Sequence, residues 1–289
     1  MGTSGSYGGP KGRTPLIPTW LDTNDNQEQL PGTPTPPSDS AQPTPQNPPQ
    51  LPNIPALENP RRFTAVRNNF SRYVSSGGSD TRSRGRAIAG YIGSSSGGAK
   101  QAARKLGTSR RVAGRLVSFL SSAIRSGAAA ALHALNLDKL TGHSIEEVFT
   151  ELAGSIVPAE GTVDAGIARD AIIETAGELA DSGITDLNQI TFDQLLTILE
   201  IYTSRTIFDK LCNEIGSNSI TLPKDTQQVE KIQVQLLDFI RRAVSDAIAR
   251  ETPVSKTLSQ QQINGFVNTV YEQAHEILRQ ISAEEGNRK

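Results

Sequence analysis

The chain has 289 residues, of which 36% are hydrophobic, 5% aromatic and 20% charged, with a formal net charge of −1 and one cysteine, Cys212. One or two domains fit that length, and a lone cysteine excludes an internal disulfide framework and fits a reducing cytoplasm, the expected location. No apolar run approaches the ~18–20 residues of a membrane span and no apolar core of a signal peptide opens the chain, so no membrane partner is expected.

Fourteen of the seventeen prolines lie in residues 1–60. Too few apolar groups remain there to offset the entropy of ordering, which predicts a disordered, semi-extended tail. Its head reads Met1-Gly2-Thr3-Ser4-Gly5-Ser6-Tyr7-Gly8-Gly9-Pro10. A small second residue favours removal of Met1. The α-amine then left on Gly2 titrates near ~7.7–8.0, against ~10.4 for lysine, so a useful fraction is an uncharged nucleophile at cellular pH. Gly5, Gly8 and Gly9 let another protein's cleft approach the backbone closely. The head reads as something to be grasped and modified. Gly2 and Ser6 also satisfy Met-Gly-x-x-x-Ser, the N-myristoylation pattern, but one acyl chain needs a second membrane signal. Further along, Leu16-Ile17-Pro18-Thr19-Trp20-Leu21 holds the only tryptophan, and Trp20 is a candidate docking anchor.

Helical periodicity begins at Arg61, with Phe63, Val66, Phe70, Tyr73 and Val74 on one face. From 61 to 125 the chain carries fourteen Lys/Arg against the single acid Asp80, whereas 126–289 carry a net charge of −11. A basic segment joined to an acidic one implies a polyanion or an acidic protein surface as partner, or one segment lying on the other. The candidate nucleic-acid-binding residues are Arg82, Arg84, Arg86, Lys100, Arg104, Lys105, Arg110 and Arg111. With Arg115 they suffice to neutralise several phosphates without reading sequence. Gly93 and Gly98 have the spacing of a phosphate-binding loop, but Ala99 stands at the lysine position and no strand precedes it, so a flexible joint between basic helices is the ordinary reading. A short helix is predicted from Lys100 to Leu106. A longer one follows, capped by Thr108 or Ser109 and carrying Val112, Leu116, Phe119, Leu120 and Ile124.

Beyond Asn136 the pattern is almost purely α. Ser144-Ile145-Glu146-Glu147 resembles a capping box, and further helices are predicted at about 163–180, 191–215, 226–251 and 259–283. His133, His143 and His275 are too scattered to ligate a metal, and Cys212 beside Leu211 reads as core. No catalytic residue, metal site or cofactor is expected. The predicted fold class is all-α, a helical bundle or array preceded by a long disordered Gly/Pro-rich tail. Its expected divisions are a tail over 1–60, a basic helical segment over 61–135 and an acidic all-α domain over 136–289.

The head Met1 to Pro10, followed by Pro15-Leu16-Ile17-Pro18-Thr19-Trp20-Leu21, a proline-rich spacer and Arg72-Tyr73-Val74-Ser75-Ser76-Gly77-Gly78, resembles the QatB family. That family is a component of the four-gene bacterial Qat anti-phage system. The resemblance implies three partners: a P-loop ATPase (QatA), a QueC-like enzyme (QatC) and a TatD-like metal-dependent DNase (QatD). QueC enzymes activate the carboxylate of 7-carboxy-7-deazaguanine with ATP and condense it with ammonia. Beside such an enzyme, the resemblance implies that the α-amine of Gly2 takes ammonia's place and becomes amide-linked to the deazaguanine. Thr3, Ser4, Gly5, Ser6, Tyr7, Gly8, Gly9 and Pro10 would then form the recognition sequence, Trp20 would dock on the enzyme, and the helical body would be a non-enzymatic adaptor. The alternative is a nucleic-acid-binding adaptor that presents phage DNA to the nuclease.

Overall fold

The computed structural model describes residues 61–215, 223, 225–251 and 259–288. The expectations for Gly2 to Pro10, for Trp20 and for the tail lie outside these residues. Among the described residues there is no strand, and the fold is all-α. Ten α-helices run in order: α1 (Thr64–Ser75), α2 (Thr81–Gly90), α3 (Ala99–Arg104), α4 (Gly107–Ser126), α5 (Ala128–His133), α6 (Ile145–Ile156), α7 (Val163–Asp181), α8 (Phe192–Ile215), α9 (Thr226–Glu251) and α10 (Gln260–Asn287). A π-helical turn, Tyr91–Ser95, continues α2.

Local signals explain most of the starts. The Asp80 carboxylate accepts the Ser83 N–H at the head of α2. Ser144 and Glu147 form the expected capping box on α6, and Ser259 and Gln262 form a second on α10. The start of α4 differs from expectation. Thr108 and Ser109 lie inside its first turn and do not cap it; the carboxylate of Asp164, on α7, accepts their N–H groups and the Ser109 hydroxyl. A cap supplied by another helix leaves no local pattern to read.

The core is continuous. Tyr73 of α1, Ile88 of α2, Leu116 and Leu120 of α4, Phe149 of α6, Tyr202 of α8 and Tyr271 of α10 are all fully buried in one cluster. The change of charge sign near residue 135 coincides with no break in it. Helices α6, α7, α8 and α9 pack each on the next, while α10 packs on α2, α3, α4 and α9. Where α2 crosses α10 the backbones touch: a Cβ on Gly85 would stand 2.5 Å from the Ser282 carbonyl oxygen and 2.7 Å from the Gly286 nitrogen.

Candidate functional site

The basic segment makes a large part of its contacts within the molecule. Arg84 is 8% exposed and forks onto Glu285 of α10, with Nη2 2.6 Å from Oε1 and Nε 3.2 Å from Oε2. Its guanidinium also lies 4.2 Å from the centroid of the Phe239 ring. A planar fork with two parallel hydrogen bonds and an aromatic face is the arrangement in which arginine is best held. Buried there, Arg84 is withdrawn from the surface that a phosphate could reach. Arg82 and Arg86 each donate from Nε to the Gly286 carbonyl, at 3.4 and 3.0 Å. Cations there satisfy an orphan carbonyl and complement the negative end of α10. Three of the eight candidate polyanion ligands therefore hold the last turn of α10. Lys105 lies 3.7 Å from Glu214 of α8. Lys100 and Arg104 are exposed on α3.

Arg110 and Arg111 belong to a different feature, a cleft of about 1240 Å³ between α4, α5 and the turn after it, the end of α6, the start of α7 and the start of α10. Arg111, Arg115, Ser118 and Ser122 line it from α4, and Gln260, Asn264 and Asn268 from α10. Arg115 donates from Nη1 to the Ile156 carbonyl at 2.6 Å, and Arg111 stands 3.8 Å from Glu160. The Nε of Arg110 is buried without a hydrogen-bond partner.

Behind Arg110 lies a buried polar group. Tyr202 donates to the Ser109 carbonyl at 3.1 Å, Tyr271 and Thr206 share a hydrogen bond of 2.8 Å, and His275 Nδ1 lies 2.8 Å from the Tyr271 carbonyl. Facing a carbonyl, Nδ1 must carry the proton and donate it. Burial, opposed by that hydrogen bond and helped by the charge of Arg110, lowers the His275 pKa to about 4, so the ring is neutral at pH 7. Burial, and after it the charge of Asp209, pushes the Cys212 thiol up to about 12, which leaves it protonated and a poor nucleophile. Among the described residues no group of three or more His, Cys, Asp or Glu is arranged to hold a metal ion, and no helix is long and apolar enough to cross a membrane.

A family model described as Qat anti-phage system associated protein QatB matches residues 97–278, well over half of the chain. The chain belongs to the QatB family. It is thus a component of the Qat anti-phage defence system. No curated protein and no solved structure matches it. The QatB match begins beyond the head and beyond Arg72 to Gly78, where the resemblance was read, and runs from α3 into α10. It contains every residue that lines the cleft. Sequence reasoning named Arg110, Arg111 and Arg115 but missed their neighbours Asp164, Gln260, Asn264 and Asn268. The amides carried a signal: three polar residues spaced by four, on a helix whose other face is apolar. Asp164 carried none.

Proposed function

We propose that this QatB-family protein is a substrate and adaptor of the Qat system, its N-terminal head bound by a QueC-like partner and conjugated there to a 7-deazaguanine. The Gly2 nitrogen attacks the carbonyl carbon of the ATP-activated 7-carboxy-7-deazaguanine. A C–N bond forms, AMP departs from the acyl-adenylate whose formation had released pyrophosphate from ATP, and the amine gives up a proton, leaving an amide. A partly unprotonated amine with no side chain beside it suits that attack, and a glycine-rich head can enter a narrow active site. The observation that carries the reading is this glycine-led head, Gly2 to Pro10, on a chain whose helical body is of the QatB family. In this reading the body tethers the modified head to the ATPase or the nuclease. The nucleic-acid alternative loses Arg84, buried on Glu285, while Arg82 and Arg86 stay exposed although their Nε atoms are bound to α10.

The test is the mass of the N-terminal peptide from cells with and without the QueC-like partner. The expected result is an increment on Gly2 equal to carboxydeazaguanine less water, present only with the partner and absent from Gly2→Pro. A plain glycine amine in both samples overturns the reading, and a myristoyl increment replaces it with a membrane one.

A further inference from the structure

The cleft on α4 and α10 is not used in the reading of the head, and two adjoining polar stripes line it. One is cationic, with Arg111 and Arg115 four residues apart on α4 and both exposed; Arg111 engages Thr108 and, at 3.8 Å, Glu160 through Nη2, and Arg115 engages the Ile156 carbonyl through Nη1, so each keeps further N–H donors for a ligand. The other is a ladder of carboxamides, Gln260, Asn264 and Asn268, at intervals of four along α10. Hydrogen bonds run along this ladder in one direction: the Ser118 hydroxyl donates to Gln260 Oε1 at 2.6 Å, and Gln260 Nε2 donates to Asn264 Oδ1 at 3.1 Å. The amino group of Asn264 and the whole carboxamide of Asn268, which is exposed, are left for a partner. Asp164, the one acid lining the cleft, is engaged by the first turn of α4. Phe119, Leu135 and Ile156 supply apolar lining.

We propose that this cleft binds an extended acidic segment of a partner protein. Residues four apart on a helix are separated by about 6 Å along its axis, close to the ~6.6 Å between alternate peptide groups of an extended chain. The Asn264 amino group can donate to a peptide C=O, and the Asn268 carboxamide, four residues on, can both donate to a peptide C=O and accept from a peptide N–H, so the ladder reads backbone. The guanidinium groups of Arg111 and Arg115 match carboxylates by charge and by shape. The cleft's volume exceeds the ~300–1,000 Å³ usual for a small-molecule pocket, which suits several residues of a peptide. The adaptor role gains a means of gripping a protein, and the inference stands whether or not Gly2 is modified.

Binding is measured by fluorescence polarisation on the full chain, with a pool of labelled octapeptides carrying Asp or Glu at alternate positions. A matched Asn/Gln pool and a labelled oligothymidylate serve as comparisons. The expected result is binding of the acidic pool that weakens with added salt. Arg111→Glu, which gives up only an exposed ion pair with Glu160, should weaken it at least tenfold, and Asn268→Ala should weaken it roughly fivefold, the loss of about one hydrogen bond, with an unchanged thermal melt for both. Equal affinity for the neutral pool, no binding of either pool, binding of the oligothymidylate alone, or indifference to both variants overturns the proposal.

Discussion

Arg84 shows how little a charge run says about what each of its charges does. Arg82, Arg84 and Arg86 alternate in the sequence, yet only Arg84 stands three, four and seven residues before Ala87, Ile88 and Tyr91, the buried stripe of α2. Helical spacing therefore places it on the apolar face, where a charge persists only if paired. Its pairing with Glu285 makes a prediction. Removing one member of a buried pair leaves the other uncompensated, at a cost of about 3–5 kcal/mol. Glu285→Ala should lose about 3 kcal/mol of stability in urea unfolding, near the low end of that range. Adding Arg84→Met should recover part of it, because the aromatic rings of Phe239 and Tyr73 line the site. A loss below about 1 kcal/mol, the worth of an exposed pair, would mean that the pair is hydrated. The same contact makes charge reversal at Arg82, Arg84 and Arg86 a poor probe of DNA binding, since it also loosens α10.

At the scale of elements, the α2–α10 crossing brings backbone onto backbone. An added methyl at Gly85 would meet backbone atoms of Ser282 and Gly286, which cannot rotate away as a side chain could. Gly85→Ala should therefore destabilise the protein by about 2 kcal/mol, in the range of core overpacking. Gly154, inside α6, has nothing within 4 Å of an added Cβ. There the same exchange should add up to about 1 kcal/mol, the helix-propensity difference. Thermal melts of the two variants should move in opposite directions; a shared direction would refute the crossing geometry. Alanine's advantage in a helix is legible in both sequences contexts, but the neighbour that reverses the sign at Gly85 is 197 residues away in the chain.

For the whole molecule, the buried His275 and the half-buried Asp209 set opposing pH slopes. His275 is held at about 4 instead of 6.5, so between those values the unfolded chain binds more protons there and its contribution to stability rises with pH. Asp209 is raised from 3.8 to about 7 by burial first and then by the charge of Glu174, against the pull of Arg205, with a smaller push from Asp170. Here the native state binds more protons, so this contribution is present below about pH 4 and is lost as the pH rises to 7. Asp209→Asn removes the falling limb and leaves the rising one. The stability of the variant relative to the parent protein should climb steadily from pH 4 to 7 in urea unfolding at successive pH values; a constant difference would mean that Asp209 titrates normally.

The helices and most of their ends follow from the sequence by itself, because apolar residues at helical spacing and Ser-x-x-Glu or Ser-x-x-Gln caps act over a few residues. Membership of the QatB family was legible too, from the head and the Arg72–Gly78 segment, although the matching family model lies over residues 97–278. Only the tertiary structure decided that Arg84 is buried on α10 while Arg82 and Arg86 stay exposed, that Asp164 caps α4, and that the amides of α10 and the arginines of α4 line one cleft. Each of these is a contact between residues distant in the chain. Charge and periodicity say that a side chain needs a partner or a face, and packing alone selects which one it finds.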